Sequence, residues 1–287
     1  FGPLVSVPWL QAHLDNPDLV LFDCRFTLSD PDAGRRQYLE GHLPGALFLD
    51  LERDLSGPVS AQGGRHPLPD PEVLAEKLGR WGVDQHSTVI VYDQGTDGMA
   101  PRAWWVLGYL GLERVAVLDG GLPAWLAAGG RLSSGAADEE RPRPARTFTP
   151  QIRHDWILTA DEVRRFVDER PDGVVLVDSR APERYRGDVE PLDPVAGHIP
   201  GAVNFYWAQV LTPDGRWKSP EELAQHFRSL TGAREAVVYC GSGGSACVNL
   251  LAMRLAGLHQ TRLYPGSWSD WCSYPELPVA RGAHPES

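Results

Sequence analysis

The chain has 287 residues, 42% hydrophobic and 23% charged, which suits a globular protein of about two domains with full cores. Its formal net charge of −11 argues against a nucleic-acid partner, because a phosphate-binding surface needs a basic face. The longest apolar run, Ala103 to Leu112, is too short to span a bilayer, and no leader-like segment opens the chain at Phe1-Gly2-Pro3, so no membrane partner and a cytoplasmic location are expected.

In chain order, Leu19-Val20-Leu21-Phe22 reads as a buried strand that ends in Asp23-Cys24-Arg25. Tyr38 and the turn Gly41-His42-Leu43-Pro44-Gly45-Ala46 follow, then a helix capped at Asp70-Pro71. A second apolar strand, Thr88 to Asp93, leads into the loop Gln94-Gly95-Thr96-Asp97-Gly98, a helical stretch, another strand, and Gly121 with Trp125. Residues 129–154 are rich in Gly, Pro, Arg and Glu without a clear period and read as a linker. The expected division is therefore a domain at 1–130, a linker at 131–155 and a second domain at 156–287.

The second half then repeats the order of the first. Thr159 with Glu162 is a capping box, Val174-Val175-Leu176-Val177 ends in Asp178-Ser179-Arg180, and Tyr185 and Gly197-His198-Ile199-Pro200-Gly201-Ala202 follow. Ser219-Pro220-Glu221-Glu222 starts another helix, Ala236 to Cys240 forms the second strand, and Gly266 with Trp271 closes the series. So many matches in one order mark a tandem duplication. Apolar strands alternating with helices predict α/β domains, each built on a parallel sheet.

The copies differ most where chemistry is expected, beyond the carboxyl end of the central strand. The second half carries Cys240-Gly241-Ser242-Gly243-Gly244-Ser245-Ala246 before a helical run, whereas the first half carries Asp93 in the cysteine's place. Glycines that turn backbone N–H groups inward, together with a helix N-terminus, favour a thiolate at Cys240. Asp93 can offer no nucleophilic sulfur and would repel an anion, so the first domain is expected to be catalytically silent. Cys24, Cys247 and Cys272 read as packed thiols, with a resolving role left open for Cys272. No Cys/His cluster has zinc-ligand spacing, so no metal is expected.

The paired D-x-R…G-H-[IL]-P-G-A elements and the Cys-Gly-Ser-Gly loop resemble the tandem rhodanese family over nearly the whole chain. The loop is similar to the Cys-Gly-Ser-Gly-x-[Thr/Ser]-Ala pattern of its 3-mercaptopyruvate branch. Thiosulfate enzymes place basic residues where this chain has Gly241 and Ser242. The resemblance implies two tandem rhodanese-like domains and ping-pong sulfur transfer through a Cys240 persulfide without a cofactor. The donor would be 3-mercaptopyruvate or a similar small molecule, with thiosulfate as the alternative. The acceptor would be a thiol, as in a thioredoxin-like protein or glutathione, or cyanide.

By the same resemblance, Gly241, Gly243, Gly244, Ser245 and Ala246 cradle the substrate and Arg184 grips its carboxylate. Ser242 positions the reacting sulfur or, on the plainer reading, makes the turn. His66 matches a histidine that the family brings to the loop, while its aspartate partner falls at Gly57, with Asp54 the nearest carboxylate. The family's second substrate arginine should fall near Glu190 to Asp193, a stretch without Arg. His42, His198 and Arg180 recur or have counterparts in both halves and read as structural. A cysteine phosphatase would need Arg at position 246, where this chain has Ala; a partner-docking module without catalysis would have no reason to keep Cys240.

Overall fold

The computed structural model describes residues 1–140 and 143–285. Two compact units emerge, and neither is one continuous stretch of chain. The first holds Phe1–Gly57, Leu68–Arg153 and Leu211–Trp217; the second holds Pro58–Pro67, His154–Val210 and Lys218–Ser287.

In the first unit, β1 (Leu4–Val5), β2 (Leu19–Asp23), β3 (Leu47–Phe48), β4 (Thr88–Tyr92) and β5 (Val115–Leu118) form a parallel sheet in the order β1-β5-β4-β2-β3. The helices are α1 (Val7–His13), α2 (Ala33–Glu40), α3 (Pro71–Arg80), α4 (Met99–Tyr109), α5 (Gly121–Ala127) and α6 (Ala137–Glu140). Central strand β4 is buried along its whole length, as a strand covered on both faces must be. Asp70 caps α3 by accepting the N–H groups of Glu72 and Val73.

The second unit repeats the plan. Here β6 (Val174–Asp178), β7 (Val203–Asn204), β8 (Glu235–Tyr239) and β9 (Thr261–Leu263) run parallel in the order β7-β6-β8-β9. Its helices are α7 (Ala160–Glu169), α8 (Pro182–Arg186), α9 (Pro220–His226), α10 (Ala246–Leu255) and α11 (Ser267–Trp271). Both expected capping boxes form, at Thr159 with Glu162 and at Ser219 with Glu222. No helix of the described residues is long and apolar enough to cross a membrane.

The repeated motif is a buried scaffold in both copies. Arg25 donates to both carboxylate oxygens of Asp23 and to Gly41 O, and Arg180 does the same with Asp178 and Gly197 O. Tyr38 and Tyr185 donate to Ala46 O and Ala202 O, and each stacks on the motif's histidine, His42 or His198. Tyr92 and Tyr239, at matched positions of β4 and β8, accept the N–H groups of Leu43 and Ile199. One network thus ties the end of a strand to the turn that follows it.

The division of the chain departs from the linear boundaries expected at 130 and 155. Much of the stretch read as a linker packs within the first unit: Ser133 pairs with His42, Arg146 N–H donates to Gly79 O, and Gln151 N–H to Leu110 O. Backbone groups find partners there despite the absence of a sequence period. Expected linker positions 141 and 142 lie outside the described residues. Pro58–Pro67, from the first half of the sequence, belongs to the second unit because side chains of α11 take its backbone N–H groups. Asp270 accepts from Gly63 at 2.7 Å and Ser269 from Arg65 at 3.1 Å.

Removing one partner of a buried pair leaves a bare charge in the interior. Asp178→Ala and Asp23→Ala are each expected to lower unfolding free energy by about 3–5 kcal/mol, read by chemical denaturation.

Candidate active site

Cys240 stands immediately after β8, at the carboxyl end of the sheet, and only 2% of its surface is exposed. Its backbone is held from both sides: Ser267 Oγ accepts the Cys240 N–H at 3.1 Å, and Trp268 N–H donates to Cys240 O at 3.0 Å. Ser269 N–H donates in turn to Gly241 O at 2.9 Å. Ser267 adopts a left-handed φ of 56°, which a non-glycine residue tolerates when its surroundings fix it. Its hydroxyl does so, donating to Tyr264 O while accepting from Cys240.

The sulfur is met by the Gly243 N–H at 3.1 Å. Of the loop's three glycines only Gly243 takes positive φ, at 81°. The wrap expected of all three therefore rests on one residue. Gly241 is small for another reason: a Cβ there would lie 3.1 Å from Arg65 Nη2 and 3.4 Å from Arg184 Nη1. Helix α10 begins at Ala246, and the Cys247 and Val248 N–H groups close on Gly244 O and Ser245 O. Those two donors turn back on the loop, whereas the sequence alone suggests a helix end aimed at the thiol.

The other expected residues fall around this loop. Ser242 Oγ lies 2.8 Å from His66 Nδ1. Arg184, from α8, binds Glu190 through Nε and Nη2 at 3.2 and 2.6 Å and reaches Asp193 at 3.4 Å. Burial works against the Glu190 carboxylate, but the Arg184 hydrogen bond and charge outweigh it and hold its pKa below the usual range. Glu190 also accepts from Arg180 at 3.2 Å, which joins the structural motif to the site. Asp54 belongs to the first unit, where it pairs with Lys77 and accepts the Asp50 N–H.

Sequence reasoning missed Arg65 and Ser267. Arg65 lies beside His66 and pairs with buried Asp193, in the stretch that lacked the expected arginine. Neither residue belongs to a repeated motif, and adjacency to His66 and to Gly266 was the only signal.

The other three cysteines differ in their surroundings. Cys24 is pushed well above the usual thiol range by burial and by Asp23, and Cys272 is pushed up to about 11 by burial and Asp193. Cys247 is fully buried and donates to Gly243 O.

In the first unit, the matching loop is filled by its own side chain. The Asp93 carboxylate accepts N–H groups from Gly95, Met99 and Ala100 at 2.7–2.8 Å. Burial and then the charge of Asp93 push neighbouring Asp97 up to about 9. The folded state thus holds a proton that the unfolded chain releases above 3.8, so this group's stabilisation is lost as pH rises from about 4 to about 9. Asp97→Asn should raise Tm at pH 8 and change it little below pH 4, read by calorimetry across pH. Ser267→Ala, which strands the buried Cys240 N–H, should cost about 1–3 kcal/mol in denaturant unfolding.

The rhodanese-like domain model matches the chain twice, at residues 6–128 and 159–274. The chain is 49% identical over 284 residues to the probable 3-mercaptopyruvate sulfurtransferase of Pseudomonas aeruginosa, covering 97% of this chain and 98% of that protein. It is 41% identical over 283 residues to the putative thiosulfate sulfurtransferase SseB of Mycobacterium tuberculosis, covering 97% of each. Among solved structures, SseA of Escherichia coli, described as a 3-mercaptopyruvate sulfurtransferase with the rhodanese fold, superposes with a TM-score of 0.81. It shares 34% identity over 94% of this chain and all of that one.

Proposed function

The chain belongs to the family of rhodanese-like domain proteins, with one such domain in each half, and on that premise we propose that it is a sulfurtransferase that carries sulfur on Cys240. The observation that carries this reading is the asymmetry of the duplicated loop. One copy presents a sulfur met by a backbone N–H, and the other fills the same place with its own carboxylate. The first domain is then a silent partner in turnover.

The preferred donor is 3-mercaptopyruvate. Cys240 thiolate attacks the donor's thiol sulfur, and the carbon–sulfur bond breaks with its electron pair left on carbon. The proton from the donor thiol ends on that carbon, so the products are the Cys240 persulfide anion and pyruvate. An acceptor then attacks the outer sulfur and frees the Cys240 thiolate; with cyanide the product is thiocyanate, with a thiol a new persulfide. Protein thiols of the thioredoxin type and glutathione are the acceptors of choice, and the cytoplasm is the compartment that would supply them reduced.

Each loop residue has a part in this scheme. The Gly243 N–H favours negative charge on sulfur, and Gly241, Gly244, Ser245 and Ala246 complete the backbone cradle around it. Ser242, oriented by His66, positions and polarises the donor sulfur and its proton. Arg184 binds the donor's carboxylate, which a guanidinium grips in a fork. Thiosulfate, whose charge lies on the group bonded to the transferred sulfur, finds no basic side chain at positions 241–246.

Cys240→Ser should abolish transfer, while Cys24→Ser, Cys247→Ser and Cys272→Ser keep most of it. Intact mass after donor treatment should show one added sulfur on the wild type and none on Cys240→Ser; label on another cysteine overturns the assignment. Parallel steady-state assays should give a higher kcat/KM with 3-mercaptopyruvate than with thiosulfate, and Arg184→Ala should depress the first more than the second. The reverse order of donors would make this a thiosulfate enzyme.

A further inference from the structure

We propose that Arg65 is a specificity-determining residue, the second guanidinium that, with Arg184, grips the donor's carboxylate; this rests on the sulfurtransferase reading above. Arg65 comes from the segment Pro58–Pro67, far in sequence from both the cysteine loop and Arg184. Its backbone is pinned by Ser269, and Gly63 two residues earlier is pinned by Asp270. Its Nη1 pairs with Asp193, whose side chain is 4% exposed and whose other oxygen takes Arg184 Nη2. One buried carboxylate thus sets the orientation of both guanidiniums.

What that orientation achieves is visible at Gly241. Arg65 Nη2 and Arg184 Nη1 both approach the Cβ position of the residue next to Cys240, at 3.1 and 3.4 Å. Neither nitrogen has a hydrogen bond among the described residues, and Arg65 Nε is buried without a partner. Two cationic forks therefore converge, with N–H groups unused, one residue from the sulfur. An anion seated there takes a charge-assisted bond from each. In a mercapto α-keto acid the carboxylate is separated from the sulfur by two carbons, so it can occupy this position while its thiol meets Cys240. Asp193 acts as a positioning residue and does not touch the donor.

The test compares 3-mercaptopyruvate with mercaptoacetone, which keeps the thiol and the carbonyl and lacks the carboxylate. Loss of one charge-assisted bond corresponds to roughly a tenfold to hundredfold effect. Arg65→Ala should raise KM for 3-mercaptopyruvate by about that factor with a much smaller change in kcat. Its kcat/KM for mercaptoacetone should fall by a much smaller factor, and an unchanged circular dichroism spectrum checks that the variant folds. Arg65→Lys should recover part of the loss, and pyruvate, titrated calorimetrically as a binding probe, should bind Arg65→Ala more weakly by a similar factor.

Equal losses with both donors, or no change with 3-mercaptopyruvate, would overturn the assignment. Unaltered pyruvate binding would overturn it as well. Failure of the underlying reading looks different, because then no donor places sulfur on Cys240 of the wild type. The pyruvate titration still decides whether Arg65 and Arg184 form an anion site in that case.

Discussion

The two guanidiniums beside the cysteine loop depend on a row of alternating charges that begins deep in the second unit. Asp178 at the end of β6 holds Arg180, Arg180 reaches Glu190, Glu190 holds Arg184, and Asp193 joins Arg184 to Arg65. The acidic members and Arg180 are buried, at 0–4% exposure, while Arg184 and Arg65 reach 17% and 28%. The buried end is rigid because a charge without its partner there is very costly, and this rigidity passes outward through bonds to both carboxylate oxygens. A side chain as long as arginine loses much rotamer freedom when it is fixed. Here the acidic members of the row fix it in advance of any ligand.

The first unit shows what the scaffold is without the extension. Arg25 makes the same bonds to Asp23 and Gly41 as Arg180 makes to Asp178 and Gly197. Its charge is spent on closing the turn. The loop after β4 follows the same logic, since three N–H groups that could receive an anion are satisfied by Asp93. The duplication thus preserved the parts that hold a strand to its turn and let the strand-end loops diverge. One loop became self-satisfied, and the other kept a cysteine sulfur that accepts a backbone N–H.

Much of this was legible in the sequence because it is local or repeated. Continuous apolar runs marked the buried strands, Thr159 and Ser219 marked helix starts, and the exchange of Asp93 for Cys240 singled out one loop. What escaped was assembled from distant segments. Arg65 and Asp193 lie 128 positions apart and belong to no shared motif. The glycine at 241 reads in sequence as a flexible turn residue, whereas its use is to leave room for two guanidiniums. Packing of residues 131–140 and 143–153 within the first unit was hidden for a related reason: irregular chain can dock through backbone hydrogen bonds and leave no periodic trace.

The passage of Pro58–Pro67 into the cysteine's unit bears on how such a chain can change over generations. Gene fission between the repeats would produce a carboxyl-terminal product with the sulfur-bearing loop but without Arg65 and His66, which are encoded upstream. A freely diffusing fragment would have to supply that segment at the cost of its own translational freedom, a loss that covalent continuity removes. The first copy is therefore tied to the second by linkage: deleting it would remove ten residues, Pro58–Pro67, that belong to the other unit.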